Sequence, residues 1–90
     1  MKIISGAFFF EMKSTHGVPW DVALEQIRVK GYTITWNEFI DAARNNKWWD
    51  FQTLEAITFV LQDVIQDKEE VQEIISRMKL YILNNPHPDL

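Results

Sequence analysis

The stretch T-W-N-E-F-I-D-A-A-R-N-N-K-W-W, residues 35–49, limits what this chain can become. Thr35 followed by Glu38 is a capping-box pattern, in which each side chain accepts from an otherwise orphaned amide at a helix start. A helix is therefore expected to begin here. Trp36, Phe39, Ile40 and Ala43 recur at helical spacing, whereas Asn37, Asp41, Arg44 and Asn45 fall on the other side. Asn45 and Asn46 suit the left-handed conformation that ends a helix, and Trp48 and Trp49 then need cover where the chain turns. So much aromatic mass in one segment makes it the expected hub of a core.

The other segments follow the same period. In residues 3–16 Ser5 can cap a helix ending at Gly17, yet Phe8, Phe9 and Phe10 point in three directions on a helix and in two on a strand. Helix is favoured because everything downstream is helical, and a strand there would find nothing in the chain to pair with. Pro19 suits the first turn of a second helix, with Asp21 near its positive end and Gly31 as its stop. Trp20, Ala23, Leu24 and Ile27 form its core stripe, and Val22 and Val29 a minor outer one. Gly31 to Ile34 reads as a loop.

Asp50 or Thr53 caps a fourth helix running to about Gln66. Its apolar positions, Leu54, Ile57, Val60, Leu61, Val64 and Ile65, cover over half the circumference, marking it as the central helix of the bundle. Phe59 projects from its polar face. Asp67 with Glu70 opens a fifth helix whose seam is Val71, Ile74, Ile75, Met78, Tyr81 and Ile82, while Leu80 and Leu83 fall among the charges opposite. Asn84 and Asn85 end it, and Pro86 and Pro88 keep the tail extended. The expected fold is all-α, a compact bundle of four to five short helices with at most a short N-terminal strand, in a single domain over residues 1–90. No internal repeat, low-complexity tract or linker is evident.

Composition narrows function. The 90 residues contain no cysteine, which removes disulfides, thiolate metal sites and thiol catalysis, so aromatic burial has to stabilise a small core. The N-terminal apolar run is broken by Gly6, ended by Glu11 and followed by no small-x-small cleavage pattern, so it reads as structure and the protein as cytoplasmic. No run approaches the length of a membrane span. After Trp49 only Lys68, Arg77 and Lys79 stand against eight carboxylates, and that half would repel a phosphate backbone.

Catalytic inventory is thin. His16 and His87 are the only histidines, and neither has a ligand or base partner at helical spacing. Gly6, Gly17 and Gly31 form no phosphate-binding loop. Asp67, Glu69, Glu70 and Glu73 are explained by the helix dipole and a solvated face. No enzyme activity, cofactor or metal is expected.

Apolar side chains on wet faces are the residue of this accounting: Phe59, Leu80, Leu83, Val22, Val29, and Phe9 and Phe10 within the triple phenylalanine. Together they point to a protein-protein contact surface, of adaptor, assembly-factor or inhibitor type, for another copy or a foreign protein. A homodimer through Leu80 and Leu83 is expected first, with Phe8 to Phe10 as the second surface. The alternative is a small helix-turn-helix regulator using Asn37, Asp41, Arg44, Asn45 and Lys47, which the acidic charge disfavours. In composition, though in no motif, the chain resembles accessory proteins of phages and mobile elements.

Overall fold

The computed structural model describes residues 2–87. In chain order the elements are β1 (Lys2–Ser5), α1 (Gly6–Ser14), α2 (Trp20–Val29), β2 (Tyr32–Thr35), α3 (Trp36–Asn45), α4 (Asp50–Val64) and α5 (Lys68–Asn84). The fold is a helical bundle of five helices carrying a short parallel strand pair.

That pair corrects two expectations. Residues 3–16 are neither helix nor strand throughout, because β1 passes into α1 at Ser5 without a loop. Nor does the strand lack a partner. The segment expected as a loop before Thr35 is β2, paired with β1 in parallel from Lys2 opposite Tyr32 to Ser5 opposite Thr35. Both strands feed directly into helices, so α1 and α3 start side by side.

The thirty-residue register set by the sheet exposes a repeat that the sequence disguises. Ile4 and Ile34 share a level, Ser5 and Thr35 are the two N-caps, and Phe9 and Phe39 lie at equivalent helix positions with ring centroids 5.6 Å apart. Two strand-helix units are thus laid in parallel, with α2 as the connection. Their sequences diverge elsewhere, notably at Gly6 against Trp36.

The corner between the units is close-packed. A Cβ on Gly6 would stand 2.2 Å from the Thr35 carbonyl oxygen and 2.3 Å from the Phe39 amide nitrogen, so only glycine lets the helix starts meet. The expected capping box is replaced accordingly. Thr35 Oγ1 accepts from the Gly6 amide at 2.9 Å in the neighbouring unit and donates to Glu38, instead of capping its own helix. Ser5 caps α1 as expected, accepting from the Ala7 amide at 3.1 Å.

Around this corner the aromatic core assembles. Phe9, Phe10, Trp20, Trp36 and Phe39 are buried, with Trp48 partly covered at their edge. Tilted and edge-on contacts dominate, as at Trp20 and Phe39 with centroids 5.2 Å apart. Trp20 Nε1 donates to the Phe10 carbonyl at 3.2 Å, satisfying the only polar atom of a buried indole. The stripe Trp20, Ala23, Leu24 and Ile27 is buried as phased, and Pro19 stands one position earlier than expected, as the N-cap of α2.

The hub assignment holds for α3, which buries Trp36, Phe39, Ile40, Ala42 and Ala43 and packs against α1, α4 and α5. α4 packs on several sides, as expected, against α2, α3 and α5. Only Thr53, Ile57 and Leu61 are buried within it, and its outer side meets solvent. α4 ends at Val64, with Ile65 buried just beyond, and its first turn is tied when Gln52 accepts from the Trp49 amide at 3.0 Å. In α5 the seam is buried or half-buried along its length, and Asp67 caps it by accepting from the Glu69 amide at 3.0 Å. Glu70, expected to complete that cap, instead makes a bidentate pair with Arg28 of α2 at 2.7 and 3.0 Å.

The α3–α4 connection ends in a Schellman turn. The Trp48 amide donates to Ala43 and the Lys47 amide to Arg44, each at 3.0 Å, and Lys47, at φ 67°, takes the left-handed position expected of an asparagine. Asn46 instead donates its side-chain amide to the Ala42 carbonyl at 2.8 Å. Asn85, at φ −134°, closes α5 without left-handed backbone, and Pro88 lies outside the described residues.

Candidate protein-interaction surface

α4 and α5 form an antiparallel hairpin at the edge of the bundle. Leu61, Ile57 and Thr53 point inward from α4, and Val71, Ile75 and Met78 from α5, so the residues half a turn away point outward. On α4 those are Phe51, Glu55, Phe59 and Gln62. On α5 they are Glu69, Gln72, Glu73, Ser76, Leu80 and Leu83, with Lys79 nearer the groove. Phe51 is 68% exposed, Phe59 75%, Leu80 59% and Leu83 75%.

Between the helices runs a shallow groove of about 510 Å³, floored by Leu54 and Ile75 and walled by Glu55, Thr58, Phe59, Gln62, Gln72 and Lys79. Gln62 and Gln72 also line a second hollow at the hairpin turn, with Ile65, Gln66, Lys68 and Val71, so the depression continues along the hairpin. Its charged lining is limited to Glu55, Lys68 and Lys79, although carboxylates dominate this half of the chain. Of the other acids, Asp50 pairs with Arg44 and Glu70 with Arg28, and Glu73 lines a cleft facing β2 together with Arg77.

The end of the hairpin farthest from its turn is locked to α3. Arg44 donates from Nε and Nη2 to both Asp50 oxygens at 2.9 Å, and from Nη1 to the Asn85 carbonyl at 2.6 Å. This hydrogen bonding to Asp50 pushes the guanidinium above its ordinary pKa. Tyr81 donates to Asp41 at 2.6 Å, and that bond, with some burial, raises the phenol as well. These contacts set the outer face at a fixed angle to the core.

Phe59 walls this groove, and Leu80 and Leu83 stand exposed on the helix across from it. Val22 and Val29 are exposed too, but on α2, where their seven-residue spacing makes a separate stripe. Phe9 and Phe10 are corrected: both are core residues, because α1 is buried on two sides, against α2 and against α3. Of the triple phenylalanine only Phe8 stays half-exposed, its ring 6.4 Å from that of His16. Phe51 was not anticipated, although its position outside the stripe of Leu54, Ile57 and Leu61 carried the signal. The half-exposed Trp49 was expected to be covered; as the N-cap of α4 it points past the core.

The arrangement of α2 and α3 differs from a helix-turn-helix, since β2 occupies the connection. Arg44 is held by Asp50, and a hollow beside α3 is lined by Glu11, Glu38 and Asp41. Among the described residues no group of three histidines or carboxylates is placed to hold a metal ion, and no helix is long and apolar enough to cross a membrane. Compared with protein-family models, curated proteins and solved structures, the chain matches none.

Proposed function

We propose that this chain is a small cytoplasmic protein-binding module, of adaptor, assembly-factor or inhibitor type, and that it works through the outer face of the α4–α5 hairpin. The observation that supports the reading is that Phe51, Phe59, Leu80 and Leu83 all stand exposed on the two helices that border an apolar-floored groove. Large exposed apolar side chains scattered singly need no explanation; four on one hairpin form the kind of patch that interfaces enrich. The face rests on a rigid support, because Arg44 and Tyr81 anchor α5 to α3. A DNA-binding role lacks comparable support, since the cations it would use are few and Arg44 is already engaged.

The test is affinity capture from the native host with the wild type and with Phe59→Glu and Leu83→Glu variants. A discrete partner retained by the wild type and lost by both variants supports the reading. Specific DNA retention in a gel shift, with a steep salt dependence, would overturn it.

A further inference from the structure

We infer that the free edge of β2 takes up an extended peptide of another protein, which adds a third strand to the sheet and sets one aliphatic side chain into the cleft between β2 and α5. This cleft lies on the opposite flank of α5 from the groove described above: Gln72 and Lys79 line the groove, and Glu70, Ile74 and Arg77 line the cleft. The site is separate from the outer face proposed above and stands or falls apart from it.

What lines the cleft identifies the edge. Successive side chains of a strand point to opposite faces, so a hollow under one face meets every second residue. This cleft instead meets Tyr32, Thr33 and Ile34 in succession and none of Lys2 to Ser5, which places it along the outer edge of β2. In a parallel pair each strand turns some of its amides and carbonyls toward its neighbour and the rest away. β2 has β1 as its single neighbour, and no backbone bond joins Tyr32, Thr33 or Ile34 to any other element. Those outward groups are the template that strand addition uses.

An edge of four residues is short, so selectivity rests on the side chain that enters the cleft. Residues level with one another on neighbouring strands point to the same face. Ile34 is buried, and level with it on the β1 side stands Ile4, packed against the core. A strand on the other side directs its residue at that level the same way, into a cleft floored by Ile27, Ile65 and Ile74. The cleft holds about 210 Å³, below the roughly 300–1,000 Å³ of small-molecule pockets, which favours a side chain over a whole ligand. At the rim Glu70 engages Arg28, while Glu73 and Arg77 enter no ion pair. That balance of charge disfavours a phosphate chain as the occupant.

Heptapeptides selected from a random display library on the full chain supply the probe. The selected sequences should share an aliphatic residue at one fixed position. Ile74→Glu, which puts a charge into the cleft, should weaken the synthetic consensus peptide roughly tenfold or more, with circular dichroism confirming that the variant keeps its helices. On the wild type, N-methylation of the peptide one residue at a time should weaken binding at alternate positions only, as strand pairing requires. A library that yields no binder overturns the inference, and so does a peptide whose affinity falls evenly along the N-methyl series. A consensus lost with Phe59→Glu but kept with Ile74→Glu overturns it too, and assigns the peptide to the outer face of α4–α5.

Discussion

At Gly6 a missing side chain decides how two helices meet. Gly6→Ala places a methyl 2.2 Å from the Thr35 carbonyl oxygen, and both neighbours are backbone that cannot rotate away. The variant should lose about 3 kcal/mol in urea unfolding, the upper range of overpacking effects; a change within error would mean the strand-helix units are not packed this closely. Lys47 presents the opposite case. It holds a left-handed φ of 67° without being glycine, so Lys47→Gly should gain about 0.5 kcal/mol once the entropy of glycine is set against relieved backbone strain. A loss on that substitution would contradict the Schellman turn. Tyr81 yields a pH signature. Its hydrogen bond to Asp41 raises the phenol pKa, so the bond's contribution is complete below the ordinary tyrosine value of about 10 and is lost as pH rises through the raised one. Phenolate absorbance should show one late-titrating tyrosine in the wild type, and Asp41→Asn should bring it earlier. Gly6 and Tyr81 were not legible beforehand, because each depends on a neighbour distant in sequence; the turn at Lys47 is local and was legible to within a residue or two.

Among the elements, α3 was legible as the hub because its stripe follows one period. Trp36→Ala should cost about 3 kcal/mol, as should Leu61→Ala where α4 meets the core; a neutral result at either would mean that helix is mis-phased. The strands were not legible. β1 and β2 are each four residues long and thirty apart, and each merges into a helix whose pattern dominates any window containing it. Only the pairing shows that Ile4 and Ile34 do the same work. The same limit hid the anchoring of α5, since nothing in the spacing of Arg44 announces a bond to the Asn85 carbonyl. Arg44→Ala should cost about 2 kcal/mol through loss of charge-assisted bonds with little exposure, and hydrogen exchange should show the end of α5 opening first.

For the whole molecule, four of the large exposed apolar side chains, Phe51, Phe59, Leu80 and Leu83, belong to the α4–α5 hairpin. The candidate face was half legible: Phe59, Leu80 and Leu83 could be placed outside their helices' stripes by counting. Phe9 and Phe10 were assigned to the contact surface and belong to the core, because a helix buried on two sides accepts what a single face would not. The central claim is that the outer face of α4–α5, and not any other exposed apolar site, is where this protein meets its partner. Phe59 and Val29 make a matched pair for testing it, 75% and 79% exposed on different faces. A photo-crosslinking amino acid placed at either position and activated in the native host compares the faces directly. The account predicts a discrete covalent protein adduct from position 59 and none from position 29; an adduct from position 29 alone would contradict it.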